Sequence, residues 1–115
     1  MHLVRRLLVP LLLALPLPVT AQTTPDPGET AAVRSVVQAY LHGLRFNDAD
    51  SLKRAFWPEA KLYFVKRDGT LGQLSQEDWY RGFAAHAGQE EEGELRIAAL
   101  EVTRDIATVK VVEEY

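Results

Sequence analysis

The 115-residue sequence contains no cysteine. That absence excludes disulfides, thiolate nucleophiles, thiolate metal sites and a lipid anchor attached through an N-terminal cysteine. The sequence also has no run of Lys or Arg longer than two, and its formal net charge is −3. Nucleic-acid backbones are held by grouped cations, so a nucleic-acid partner is not expected. No glycine-rich segment has the form of a phosphate cradle, and no serine sits in a nucleophile-elbow context. Neither His42 nor His86 has a second histidine at H-x-x-x-H or H-x-H spacing, so no metal is expected. The run Glu90-Glu91-Glu92 lacks the alternating oxygen ligands and turn glycine of a calcium loop, and it reads as a solvated loop.

Long apolar runs are scarce too. The one present, starting at Leu7, stays uncharged for 15 residues to Ala21, whereas a spanning helix needs about 20. Pro10, Pro16 and Pro18 would disrupt a helix there. Arg5 and Arg6 precede the run, and the small residues of Val19-Thr20-Ala21 follow it. This three-part pattern is that of a cleaved secretory signal peptide, residues 1–21, with the cut between Ala21 and Gln22. The expected location is therefore periplasmic or secreted, with no membrane contact after cleavage. Loss of the leader removes two Arg and no acid. It leaves 94 residues with 11 Lys plus Arg against 16 Asp plus Glu, a formal −5. That length suits one small domain. Residues 22–28 read as a linker and 29–115 as the domain.

Within the domain, apolar spacing sets out the elements. Asp26, Pro27 and Glu29 have the chemistry of a helix start: a cap, a first-turn proline and the far end of a capping box. Val33, Val36, Val37, Tyr40, Leu41 and Leu44 then recur at three- and four-residue spacing, as one face of a long amphipathic helix does. Gly43 inside that helix costs about 1 kcal/mol relative to Ala, so a close neighbour is expected there. Asn47-Asp48 breaks the pattern, and a short second helix with Leu52, Ala55 and Phe56 inward is stopped by Pro58. Residues 61–66 and 70–74 read as a hairpin turning at Asp68-Gly69. Ser75 to Asp78 is a second capping box that opens a helix running to about Ala87, with Trp79, Phe83 and Ala87 on one face, and Gly88 ends it. Leu95–Thr103 and Ile106–Tyr115 read as an antiparallel pair turning at Arg104-Asp105. The class is α+β, with three N-terminal helices packed on a curved antiparallel sheet.

Three stretches carry a family resemblance: VRSVVQAYLHGLRFNDADSLKRAFWPEAKL (33–62), DGTLGQLSQEDW (68–79) and LRIAALEVTRDIATVKVVEEY (95–115). In the order and spacing of Tyr40, Gly43, Asp48, Phe56 and Pro58 before a strand, the chain resembles the nuclear transport factor 2-like superfamily. Within it the chain is similar to the exported lumazine-binding and SnoaL-like group. The resemblance implies a cone-like fold enclosing an apolar pocket. It also implies two further strands after the point where this sequence stops, so the domain is expected to lack its last two strands.

The superfamily includes ketosteroid isomerases, dehydratases and polyketide cyclases. The isomerase resemblance puts its carbonyl-polarising tyrosine on Tyr40 and asks for a proton-abstracting carboxylate near position 64. That position is Phe64, which cannot accept a proton. No catalytic residue is therefore assigned and no cofactor is expected. The aromatic residues Tyr40, Phe56, Trp57, Tyr63, Trp79 and Phe83 are the candidates for lining a small-ligand pocket. The same side chains also suit a filled core, and Tyr40 suits a core position with its hydroxyl satisfied by a neighbour. The leading expectation is an exported domain that binds a small hydrophobic ligand. The alternatives are a lyase or isomerase acting on a small hydrophobic carbonyl compound, with His86 or Asp48 carrying the proton, and a homodimerising assembly module. The leader reading is checked by the intact mass of the exported protein, which should begin at Gln22. A mass that retains Arg5 and Arg6 contradicts it.

Overall fold

The computed structural model describes residue 24 and residues 26–114. The expected signal peptide, its cut site and Tyr115 lie outside these. The first helix, α1, spans Pro27–Phe46. Its start follows the sequence chemistry: the Asp26 carboxylate accepts from the Gly28 N–H at 2.8 Å, and Pro27 fills the first turn, where no N–H is needed. The helix ends at Asn47, which takes the left-handed conformation at φ 49° and donates its N–H to the Gly43 carbonyl. Asparagine tolerates that region better than most residues. Asp48 immediately caps the next helix, α2 (Ala49–Lys53). Two successive cap residues thus fold the chain back on itself in a single turn.

This fold-back brings Leu52 onto α1 at Gly43. A Cβ at position 43 would lie 2.5 Å from the Leu52 Cγ. Leu52 is the one hydrophobic side chain among the described residues with 0% exposure, and Leu41 and Leu44 are buried nearby in the chain. Of the expected apolar face of α1, Val33, Val37 and Tyr40 are half-buried and Val36 is exposed.

The first hairpin pairs β1 (Lys61–Val65) with β2 (Leu71–Ser75). It turns at Asp68-Gly69, where Gly69 has φ 84°, a conformation glycine adopts without steric cost. Ser75 then caps α3 (Gln76–Arg81), its hydroxyl accepting from the Asp78 N–H at 3.1 Å. The expected helix to Ala87 is shorter than its apolar spacing suggested. At Gly82 and Phe83 the bonding tightens to i→i−3, with Gly82 N–H to Trp79 O and Phe83 N–H to Tyr80 O, and a 3₁₀ turn at Ala84–His86 follows. Glycine is a weak helix former, and tightened last turns are common at helix ends. Gly88, at φ 80°, turns the chain away.

The second hairpin pairs β3 (Glu94–Thr103) with β4 (Ile106–Glu114). The register slips between Ile97 and Ala99, a bulge that changes which residues face inward. Leu95 and Ile97 are half-buried before it, and Leu100 and Val102 are half-buried and buried after it. One residue of offset therefore keeps an apolar side chain toward the protein along the whole strand. β3 lies against α1.

The class is α+β, as expected. The single curved sheet is not seen: among the described residues the strands form two separate two-stranded sheets, β1–β2 and β3–β4. Each strand bonds its own hairpin partner across a tight turn, and α3 and its following loop separate the pairs in the chain.

The acidic loop 89–93 is also less free than expected. The Arg45 guanidinium donates to the carbonyls of Glu91 and Gly93, and the buried Asn47 amide donates to the Gln89 carbonyl and the Glu91 carboxylate. Backbone bonds from Gly88 to Phe46 and from Glu91 to Arg45 complete the clamp. It anchors the start of β3 to the end of α1.

The close approach at Gly43 gives a definite expectation. Gly43→Ala should lower stability by about 1–2 kcal/mol, because overpacking outweighs the gain in helix propensity. In a Leu52→Ala background, itself costing about 2–5 kcal/mol, the same change should become neutral or stabilising. A double-mutant cycle by urea unfolding measures this, and simple additivity would contradict the contact.

Candidate functional site

Beyond α2 the chain continues one loose turn, with Arg54 N–H to Ser51 O and Ala55 N–H to Leu52 O. That turn carries Phe56 inward and leaves Trp57 81% exposed. The Phe56 ring stands edge-on to Tyr40, at 5.7 Å and 81°, and edge-on to Trp79, at 5.6 Å and 89°. Trp79 stands edge-on to Phe83, four residues further along, at 5.4 Å. Such pairs each add about 0.5–1.5 kcal/mol beyond their buried area. The four rings form a ladder running from α1, past the end of α2, to α3, and each is half-buried.

Of the six aromatic residues singled out from the sequence, the ladder joins Tyr40, Phe56, Trp79 and Phe83. It leaves out Trp57 and Tyr63, the latter 59% exposed on β1. At the ladder's α1 end the Tyr40 hydroxyl donates to the Glu113 carboxylate at 2.7 Å, which ties α1 to β4. The residues considered for proton transfer with Tyr40 are each engaged by a different group. His86 Nδ1 lies 3.2 Å from the Gln89 amide oxygen, and Asp48 caps α2.

Two hollows adjoin the ladder. The smaller, of about 430 Å³, is lined by Lys53, Phe56, Pro58, Gln76, Glu77 and Tyr80. Gln76 is only 6% exposed. Its Nε2 donates to the Trp57 carbonyl and its Oε1 accepts from the Tyr80 hydroxyl at 2.8 Å. An amide held at both ends is a fixed polar group in an otherwise apolar wall. Burial pushes the Tyr80 hydroxyl above its ordinary value, tempered by the Lys53 ammonium, which sits 5.8 Å from the ring centre. The phenol therefore stays protonated and keeps donating. Lys53 and Glu77 stand at the rim, both exposed.

The larger hollow, of about 560 Å³, is floored by Asn47 to Asp50 and walled by His42, Phe46, Tyr80 and Phe83. Its polar groups hold the turn together. Asp48 accepts from the Ser51 hydroxyl at 2.6 Å and from the backbone N–H groups of Asp50 and Ser51, and Arg54 donates to the same Ser51 hydroxyl. His42 Nε2 lies 3.5 Å from the Asp48 carboxylate. The Ser51 hydroxyl, ahead of the backbone bonds, holds the Asp48 carboxyl below its ordinary value. An acid so easily ionised is a poor proton carrier near neutrality. The smaller hollow, with its aromatic and proline walls and a fixed amide, is the better receptor for an apolar ring. Among the described residues no group of three or more His, Asp or Glu could hold a metal ion.

Gln76, Tyr80 and Lys53 were not singled out by the sequence reading. Helical spacing selects Trp79 and Phe83 as the inward face of α3 and passes over Tyr80. The signal that could have found it is the spacing Gln76–Tyr80, four apart on one helix face. Glu113 was legible in the same way, since strict alternation puts it with Val109 and Val111.

A family model described as "Putative lumazine-binding" matches residues 28–115. No curated protein and no solved structure matches the chain.

The low Asp48 value has a testable consequence. A carboxyl depressed below its unfolded value of 3.8 contributes stability above that pH and loses it as pH falls through the folded value. Asn caps helices about as well as Asp. Asp48→Asn should therefore keep the fold but lose less stability than the wild type between about pH 5 and about pH 2 in urea titrations. Equal losses would contradict the assignment.

Proposed function

The chain belongs to the putative lumazine-binding family, and on that premise we propose that it binds a small planar heteroaromatic molecule of the lumazine kind in the hollow beside Phe56. Lumazine is a flat bicyclic ring system with carbonyl oxygens and ring N–H groups at its edge. Such a molecule needs an apolar wall for its face and a few fixed polar groups for its rim. Phe56, Pro58 and the Tyr80 ring supply the wall. The Gln76 amide, with Lys53 and Glu77 at the mouth, supplies the polar groups.

The observation that carries this reading is the double position of Phe56. Its ring lines the hollow and also stands edge-on between Tyr40 and Trp79. Packing on both sides holds the ring before any ligand arrives, so little ordering cost falls on binding. The superfamily cone, with the helices set against the two hairpins, is the architecture we propose around this site. The element order and the α+β class support it. Phe64, where the isomerase resemblance asks for a carboxylate, packs its ring over Gly72, which favours binding over turnover. The tripartite N-terminus supports a periplasmic or secreted setting.

The test uses the tryptophans as reporters. Trp57→Phe leaves Trp79 as the sole tryptophan, excited selectively at the red edge of the absorption band, and its ring centre lies 5.6 Å from that of Phe56. Titration with lumazine should change Trp79 emission in a saturable way and raise the melting temperature. Phe56→Ala should weaken binding by about tenfold, the loss of one aromatic contact. No saturable change and no melting shift at millimolar lumazine would overturn the reading.

A further inference from the structure

We propose that the β1–β2 hairpin docks on an anionic lipid surface, an interaction the sequence reading did not expect of the processed domain. Strand alternation and register give the hairpin two faces. Leu62, Phe64, Gly72 and Leu74 form the inner one: Gly72 is buried, Leu62 and Leu74 are half-buried, and the Phe64 ring, itself 43% exposed, covers Gly72. Tyr63, Val65 and Leu71 lie on the other, at 59%, 74% and 68% exposure.

The apolar side chains sit at the tip. Val65 pairs directly with Leu71 on the last rung before the turn, and Tyr63 lies one rung behind on the same face. The turn itself carries Lys66 and Arg67, and Lys61 begins the strand. None of these three cations takes part in an ion pair among the described residues. The single acid of the hairpin, Asp68, is folded onto its own turn, accepting from the Thr70 N–H and hydroxyl at 2.9 and 2.7 Å. The hairpin is thus net positive within a chain of net charge −3.

An apolar tip, a phenol set just behind it and unpaired cations beside it are complementary to a membrane surface. The tip enters the acyl boundary, the tyrosine lies at headgroup level and the cations meet lipid phosphates. A folded protein partner fits less well. A stable protein interface buries about 800 Å² on each side, far more than three side chains on a two-stranded ribbon offer.

The chain has no cysteine, so Thr70→Cys in the protein as exported, after removal of the leader, takes a single environment-sensitive nitrobenzoxadiazole label at the tip. A second labelled variant, Gln38→Cys on the exposed side of α1, reports any attachment that does not involve the hairpin. On vesicles of equal phosphatidylglycerol and phosphatidylcholine the tip label should shift to the blue and be quenched by brominated acyl chains. The α1 label should stay unshifted, and so should the tip label on phosphatidylcholine alone. Lys66→Ser with Arg67→Ser should weaken the anionic-vesicle response about 25-fold, at about fivefold for each cation. Val65→Ser with Leu71→Ser should abolish the shift while leaving the melting temperature unchanged. An unshifted tip label, an equal shift on neutral vesicles, or a shift that survives loss of both cations would overturn the proposal. So would lipid-free self-association, seen by sedimentation velocity, that Val65→Ser with Leu71→Ser removes.

Discussion

Where Gly43 has no side chain, Leu52 lies against the backbone of α1, and much of the rest of the structure takes its position from that contact. A longer residue at 43 would hold α2 off α1 by the thickness of a methyl group. The contact closes only because Asn47 reverses the chain in the left-handed region and Asp48 restarts a helix at once. The loose turn after α2 then delivers Phe56 between Tyr40 and Trp79. From the same corner, Arg45 and Asn47 hold the loop that leads into β3. One small residue and two caps thereby set the position of both the aromatic ladder and the second hairpin.

The electrostatics of this corner serve geometry before chemistry. Asp48, Ser51 and Arg54 form a connected set of hydrogen bonds around the start of a five-residue helix, which is too short to be stable alone. Every buried side-chain polar atom among the described residues has a partner, as a small domain with a slender core requires. The polar group that stands out is Gln76, fixed at both ends inside an apolar wall. That arrangement suits recognition of a ring's edge.

Much of this was legible in the sequence, and for identifiable reasons. The Asp26-Pro27 start, the Ser75 cap, the Asp68-Gly69 turn and the tight neighbour of Gly43 follow from local chemistry that tertiary structure did not override. Trp79 and Phe83 were legible from helical spacing. The ending of α3 was not, because Phe83 and Ala87 continue the apolar spacing while Gly82 and the i→i−3 bonds tighten the backbone. The bulge at Ile97–Ala99 shows in the chain only as apolar alternation slipping by one residue. Trp57 and Tyr63 have the composition of pocket residues, yet both are exposed: Trp57 follows the turn that takes Phe56 inward, and Tyr63 lies on the outer face of its strand. Long-range pairs such as Tyr40 with Glu113, 73 residues apart, leave no local trace beyond the period of their own elements.

The central claim is that this corner builds a receptor for a flat heteroaromatic ring beside Phe56. Two-dimensional ¹H–¹⁵N spectra recorded during addition of lumazine address it most directly. The account predicts shifts concentrated at Lys53, Gln76, Glu77 and Tyr80 and at the indole N–H of Trp79. Shifts centred instead on residues 42–50 and 84–88, or none at all, would contradict it.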